Sequence, residues 1–400
     1  MKRIKRSLAL LIALVMVMAY VPMTASAAEE YTLKVYCGNA PQNDYGTLKS
    51  LDFIYAGALA FKNYCESNSG GRITVEIYPS SQLGSTQEAL QQCMQGTLEC
   101  VMGGDGETAT LYPAIQAMSI PYLFDNRDEF YAMLDSDYMK GVYTDIETQL
   151  GLKTLASADN GGFRNFSNDV KPIHSAADMA GLKIRTMESP IYTKMLESFG
   201  ASATPMAYSE LYSALQTGVV DGQENSPGTT FNGSFYEVNK YYILDGHAIS
   251  SIFLYINSKL FNGMPEDLQK VVAAAGKTAQ YAMRGNNCAN EALALETLTK
   301  YMEVYSPTAE EKESFKVCQE PVIEWMKEQI GAETVDEFMA AVNAVKAGDA
   351  TGAASTIGTT NVSSSVNTLT YVAFGVAAVA ILFAVFTVSK SKKSKREDSD

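Results

Sequence analysis

Apolar and polar positions alternate with period two in Leu33-Lys34-Val35-Tyr36-Cys37 and again in Ile73-Thr74-Val75-Glu76-Ile77. Each run predicts a strand with one buried face. Between them Leu51 to Glu66 has helical spacing, and Gly70-Gly71 marks the turn. Beyond a loop from Pro79 to Gly84, Ser85-Thr86-Gln87-Glu88 forms a capping box. The helix it opens carries Ala89, Leu90, Cys93 and Met94 on one face and stops at Gly96, and Leu98 to Met102 predicts a third strand closed by Gly103-Gly104.

The same grammar returns further on. Leu152 to Ala156 is strand-like and leads to a Gly-rich turn, Gly161-Gly162-Phe163-Arg164-Asn165. Leu182-Lys183-Ile184-Arg185 predicts a strand, and Ser189-Pro190 an N-cap with a first-turn proline. Ile191, Met195, Leu196 and Phe199 give the helical face, and Gly200 stops it. Ser209 is read as the cap of a helix through Leu211, Ala214 and Leu215 that ends at Gly218, before a strand Val219-Val220-Asp221-Gly222. Ala-Leu-Gln recurs at 89–91 and 214–216, each time before a helix-stopping glycine and an apolar run. From Pro265 to Val345 the spacing is almost wholly helical. Alternating strands and helices predict an α/β protein with largely parallel pairing, in two lobes of related units.

The ends carry different signals. Residues 1–27 have a basic start (Lys2, Arg3, Lys5, Arg6), an apolar run from Leu8 to Val21 and a small-residue site at Ala25-Ser26-Ala27, the layout of a secretory signal peptide. Residues 347–368 are rich in Gly, Ala, Ser and Thr and read as a flexible stalk. Leu369 to Val388 is free of charge and long enough to span a bilayer. The basic tail 389–400, with Lys390, Lys392, Lys393, Lys395 and Arg396, places that end in the cytoplasm.

Without the signal and the tail, the outward portion carries a net charge of about −20. It offers no cationic surface to a nucleic acid, and any anion it binds must be held by a few local groups. The six Cys show no metal spacing and read as ordinary buried thiols, and two His cannot build a His-rich zinc site. No cofactor or metal is expected. Gly104-Asp105-Gly106-Glu107-Thr108-Ala109 matches a dinucleotide-type G-x-G-x-x-A, but Pro113 interrupts the helix it would open, and no nucleophile elbow or P-loop accompanies it.

In open parallel sheets, ligands lie beyond the carboxyl ends of the strands. Arg185 ends its strand four residues before a helix start, where a guanidinium can grip a carboxylate as a planar fork; a surface or interlobe ion pair fits the spacing equally. Arg164 sits in the Gly-rich segment, Asn225 just past a strand end, and Tyr208 beside a helix start. His247, between Gly246 and Ala248, reads first as a satisfied structural histidine.

Several stretches together resemble the solute-binding proteins of TRAP (tripartite ATP-independent periplasmic) transporters, of the C4-dicarboxylate and sialic-acid-binding type. They are Gly71 to Gly84 (GRITVEIYPSSQLG), Gly181-Leu182-Lys183-Ile184-Arg185, the run from Pro205 through Leu215-Gln216-Thr217 to Val220-Asp221-Gly222-Gln223-Glu224-Asn225, Phe235 to Val238, and Pro265 to Val272. The resemblance covers about residues 31–330. It implies a two-lobed, periplasmic-binding-protein-like clamshell with a long helix across both lobes. The first lobe would take 28–160 with about 251–290, and the second 161–250 with about 291–346. It implies that Arg185 clamps the ligand carboxylate, with Arg164, Asn225 and Tyr208 beside it. Glu188 stands where ligand-specifying residues often sit, and an insertion at Tyr45–Ser50 reshapes the mouth near Asn39. Asp105 and His247 complete the candidate binding set. The expected function is extracytoplasmic capture of an organic acid and its delivery to a membrane-embedded, ion-coupled permease, with no chemical step. A membrane-tethered sensor and an exported enzyme using Asp221 or Glu224 are the competing classes.

Overall fold

The computed structural model describes residues 29–46 and 48–348. The signal segment, nearly all of the stalk, the apolar run 369–388 and the basic tail lie outside the described residues. Among the described residues no helix is long and apolar enough to cross a membrane.

In the first lobe, β1 (Tyr31–Tyr36) lies between β4 (Ile73–Tyr78) and β5 (Cys100–Gly104), parallel to both. The helix Phe53–Asn68 links β1 to β4, and Thr86–Gln95 links β4 to β5. The capping box at Ser85 and the left-handed Gly96 bound that second helix as the sequence predicts. A small antiparallel hairpin, β2 (Gln42–Asp44) and β3 (Lys49–Leu51), projects from the loop after β1.

The second lobe repeats this order. β7 (Lys183–Thr186) lies between β8 (Ser202–Pro205) and β9 (Gly222–Asn225), again parallel to both. Its linking helices are Pro190–Ser198 and Leu211–Gln216. The two Ala-Leu-Gln segments therefore fall on topologically equivalent helices, each the second crossover of its lobe.

Between the lobes the pairing is antiparallel, which corrects the largely parallel expectation. β6 (Leu152–Asn168) and β11 (Ala248–Asn257) form a ribbon that pairs with β5 on one side and with β9 on the other. One ten-stranded sheet thus runs through both lobes, with β10 (Tyr241–Ile243) and β12 (Glu303–Tyr305) at the side of β6. The Gly-rich segment at 161–165 is not a turn but the middle of β6. Gly161 and Gly162 take positive φ there, and the β6–β11 register slips between Ile249 and Ser251. Only glycine fits both needs at 161, since a Cβ would stand 2.4 Å from Ser226 Oγ.

Three boundaries also move. Gly103 and Gly104 belong to β5 instead of closing it, because Leu90 packs over Gly103 and pairing with β11 continues to Gly104. Val219 to Asp221 precede β9, whose pairing with β6 begins at Gly222, and Val219 is exposed. Ser209 lies inside a short 3-10 turn, Tyr208–Glu210, and caps nothing; Ser189 has N-cap backbone geometry, yet its hydroxyl makes no capping bond.

The long helix Glu266–Leu298 packs on the Phe53–Asn68 helix, on β6 and on the second-lobe helix Pro227–Asn232. Its Arg284 donates to Ser157 O, Gln280 accepts from Ser157 N, and Asn287 donates to Asp159 O, which ties it to β6 just before the glycine pair. Leu33, Val35, Phe61, Val75, Leu254 and Met283 centre the first-lobe core. Phe166, Phe199 and Phe315 meet edge-on and stacked in the second. All six cysteines are free thiols; five are buried and Cys288 is exposed.

Candidate functional site

The carboxyl ends of β5, β7 and β9 and the loop after β1 converge on one interlobe cavity. Gly38, Asn39, Thr86 and Glu107 line it from the first lobe, and Arg185, Tyr208 and Asn225 from the second. Asn160, on the crossing strand β6, stands between them. Strand order explains the convergence, since each parallel strand delivers its next residues to the same rim.

Arg185 is 1% exposed, inside a lobe interior with no carboxylate in ion-pair range among the described residues. Its Nε and Nη2 both donate to the Met206 carbonyl, at 3.1 and 2.7 Å, while Nη1 makes no hydrogen bond among the described residues. Burial pulls its pKa down to about 10; Glu224 offsets part of that effect, and the neighbouring Arg164 adds to it. The group stays charged at neutral pH and lacks a counter-ion of its own.

Arg164 is equally buried but is fully engaged. Its Nε and Nη2 fork onto the Glu224 carboxylate, with Nη2 to Oε1 at 3.0 Å. Nη2 also donates to Glu224 O and Asn225 Oδ1, and Nη1 to Ser250 Oγ. Burial opposes the charge on Glu224, and Arg164 and His247 outweigh it, so that carboxyl lies below its usual range. His247 sits between Asp245, 2.8 Å from Nδ1, and Glu224, 3.3 Å from Nε2. Burial disfavours its imidazolium, but the two carboxylates prevail and raise its pKa. Arg164 and His247 thus form a closed internal network behind the cavity wall, touching the cavity only through Asn225.

The other candidates separate. Tyr208 lines the cavity with its hydroxyl buried and unpartnered. Asn39 donates to Asp52 Oδ2 at 3.0 Å, and that carboxylate also caps the Phe53–Asn68 helix; burial pushes Asp52 up to about 6. Asp105 is not on the cavity wall. It accepts from Ser119 Oγ and Ser251 N behind β5, and burial raises it to about 6. Glu188 lies in a separate open groove with Pro190, Lys194 and Trp325, and burial followed by the nearby Glu107 raises its pKa. Thr86, Glu107, Asn160 and Thr229 are cavity-lining residues absent from the sequence-derived set. Glu107 could have been found, because it lies just past the carboxyl end of β5, on the rim to which the carboxyl ends of β7 and β9 bring Arg185 and Asn225.

The residue 42–51 hairpin reaches across the mouth. Tyr45 stacks on Phe231 of the second lobe at 4.6 Å between ring centroids, and Asn232 donates to Asn43 Oδ1 at 2.8 Å. The hairpin therefore bridges the two lobes.

Residues 46–329 match the model of the bacterial extracellular solute-binding proteins, family 7 (DctP). The C4-dicarboxylate-binding periplasmic protein DctP of Rhodobacter capsulatus is 31% identical, over 71% of this chain and 86% of that protein. A TRAP periplasmic solute-binding protein from Sulfitobacter sp. NAS-14.1, solved with bound β-D-galacturonate, has 28% identity and a TM-score of 0.72, covering 78% of this chain and 99% of its own. Another from Sulfurospirillum deleyianum, solved with bound succinate, has 25% identity and a TM-score of 0.71 over the same shares.

Proposed function

We propose, because the chain belongs to family 7 of the bacterial extracellular solute-binding proteins, that its interlobe cavity captures an organic acid through the Arg185 guanidinium. The family is one of binding components of TRAP transporters, so the chain works outside the cytoplasm with membrane permease subunits and catalyses no reaction. One observation carries the ligand reading: Arg185 is a buried cation on the cavity wall with no carboxylate of its own. Burying an unpaired charge is costly, and a ligand carboxylate would supply the missing partner while leaving the two bonds to Met206 in place. Asn225, oriented by Arg164, and Tyr208 stand beside it to fix the approach. Arg164 itself would act by positioning Asn225, and His247 by holding Glu224.

Lobe closure would exclude water and so strengthen the pairing, and the residue 42–51 hairpin would hold the closed form through Tyr45. The apolar run 369–388 would anchor the domain to the cell membrane; its support is the charge-free stretch and the basic cluster that follows. Isothermal titration of the full chain in mild detergent against a panel of organic acids tests the ligand reading. Arg185→Ala should abolish binding of any acid the wild type retains, and Arg185→Lys should weaken it by tenfold or more through loss of the fork geometry. Equal affinities in all three proteins would remove Arg185 from the function.

A further inference from the structure

The cavity wall carries two charged side chains, Arg185 and Glu107, and they come from opposite lobes. Glu107 sits in the first turn of the short helix Asp105–Ala109, directly after β5. Its carboxylate folds back over Gly104, where a Cβ would stand 2.6 Å from Oε2, so the missing side chain at 104 provides its seat. Neighbouring Gly106 abuts Met187 of the second lobe, which keeps this helix against the cavity. The Glu107 carboxylate makes no hydrogen bond or ion pair among the described residues. It acts on Arg185 through space without closing onto it. A cation on one wall and an anion on the other, each unpaired, define a bipolar gap.

We propose that this gap selects acids with a single carboxylate and several hydroxyl groups, and that Glu107 makes the selection. The inference rests on Arg185 as the carboxylate clamp. With the ligand carboxylate on Arg185, its far end meets Glu107, an acceptor for hydroxyl protons that repels a second carboxylate. Glu188 lies close enough to feel Glu107 and adds to the same negative field. A ligand ammonium would satisfy Glu107 too, yet it would leave the rest of the wall idle. The Tyr208 hydroxyl is buried without a partner, and the Asn160 side chain makes no bond among the described residues. Hydroxyls spread along a carbon chain can reach all three, and one cationic tip cannot.

The test is titration calorimetry on the full chain in mild detergent with D-galacturonate, D-gluconate, succinate and 4-aminobutyrate. At least one hydroxy acid should bind a hundredfold more tightly than succinate and 4-aminobutyrate. Glu107→Gln should narrow the ratio to succinate at least tenfold, and Glu107→Lys should invert it. Succinate or 4-aminobutyrate matching the best hydroxy acid in the wild type overturns the proposal, and that comparison needs no variant. So does an unchanged ratio in a Glu107→Gln protein with wild-type melting temperature. If binding requires Arg185 but ignores Glu107, this inference alone falls; if Arg185→Ala leaves all affinities unchanged, the carboxylate reading falls with it.

Discussion

Two arginines lie within one lobe, both fully buried, yet their removal should have opposite effects. Arg185 is held at a pKa of about 10 against an ordinary 12.5, chiefly by burial. At 1.36 kcal/mol per pKa unit, the folded protein without ligand bears roughly 3 kcal/mol for keeping that charge. Arg185→Met removes the cost but strands the Met206 carbonyl, a loss of about 1–3 kcal/mol. The net change is between zero and about 2 kcal/mol of stabilisation, a melting temperature unchanged or up to about 5 °C higher. Arg164→Met breaks the buried pair with Glu224 instead, which costs about 3–5 kcal/mol and on the order of 10 °C. Differential scanning fluorimetry of the three proteins without ligand measures both. Adding a ligand at a hundredfold its Kd should raise the wild type by about 2.7 kcal/mol and leave Arg185→Met unmoved. If Arg185→Met falls as far as Arg164→Met, Arg185 is a strut and the argument from its unpaired charge is wrong.

Two further outcomes follow from the same geometry. Asp52, pushed up to about 6 by burial, binds its proton more tightly folded than unfolded, so its stabilising share is complete below about pH 4 and lost as pH rises through 6. Asp52→Asn, which keeps a capping side chain, should therefore gain on the wild type by roughly 2–3 kcal/mol between pH 4 and pH 7.5 in urea denaturation; parallel curves would contradict this. Tyr45→Ala removes the stack on Phe231 that joins the lobes, worth about 0.5–1.5 kcal/mol, and should raise the ligand off-rate in stopped flow roughly two- to twelvefold while the on-rate holds.

The parallel units were legible because their cues are local. Ser85 with Glu88 caps a helix, Gly96 stops it, and period-two alternation marks β1 and β4. The ribbon of β6 and β11 was not, since Gly161-Gly162 reads as a turn by every short-range rule. Only the distant pairing of Ala248 with Arg164 and of Ser251 with Asp159 keeps that segment extended. Arg185 and Asn225 were legible from strand ends, because topology carries such residues to a common rim. The state of Arg164 was hidden, because its partner Glu224 lies sixty residues away and the pairing depends on β6 lying beside β9. Glu107 was obscured by a glycine pattern with a different usual meaning.

Because a hydrogen-bonded ribbon, and not a loose connector, joins the two halves, parting them means flexing β6 and β11 against their own ladder near the glycine pair. Such a joint stores elastic energy as it bends and favours one path of travel. Release of the proposed ligand by opening the lobes would have to follow that path and do work against the ladder.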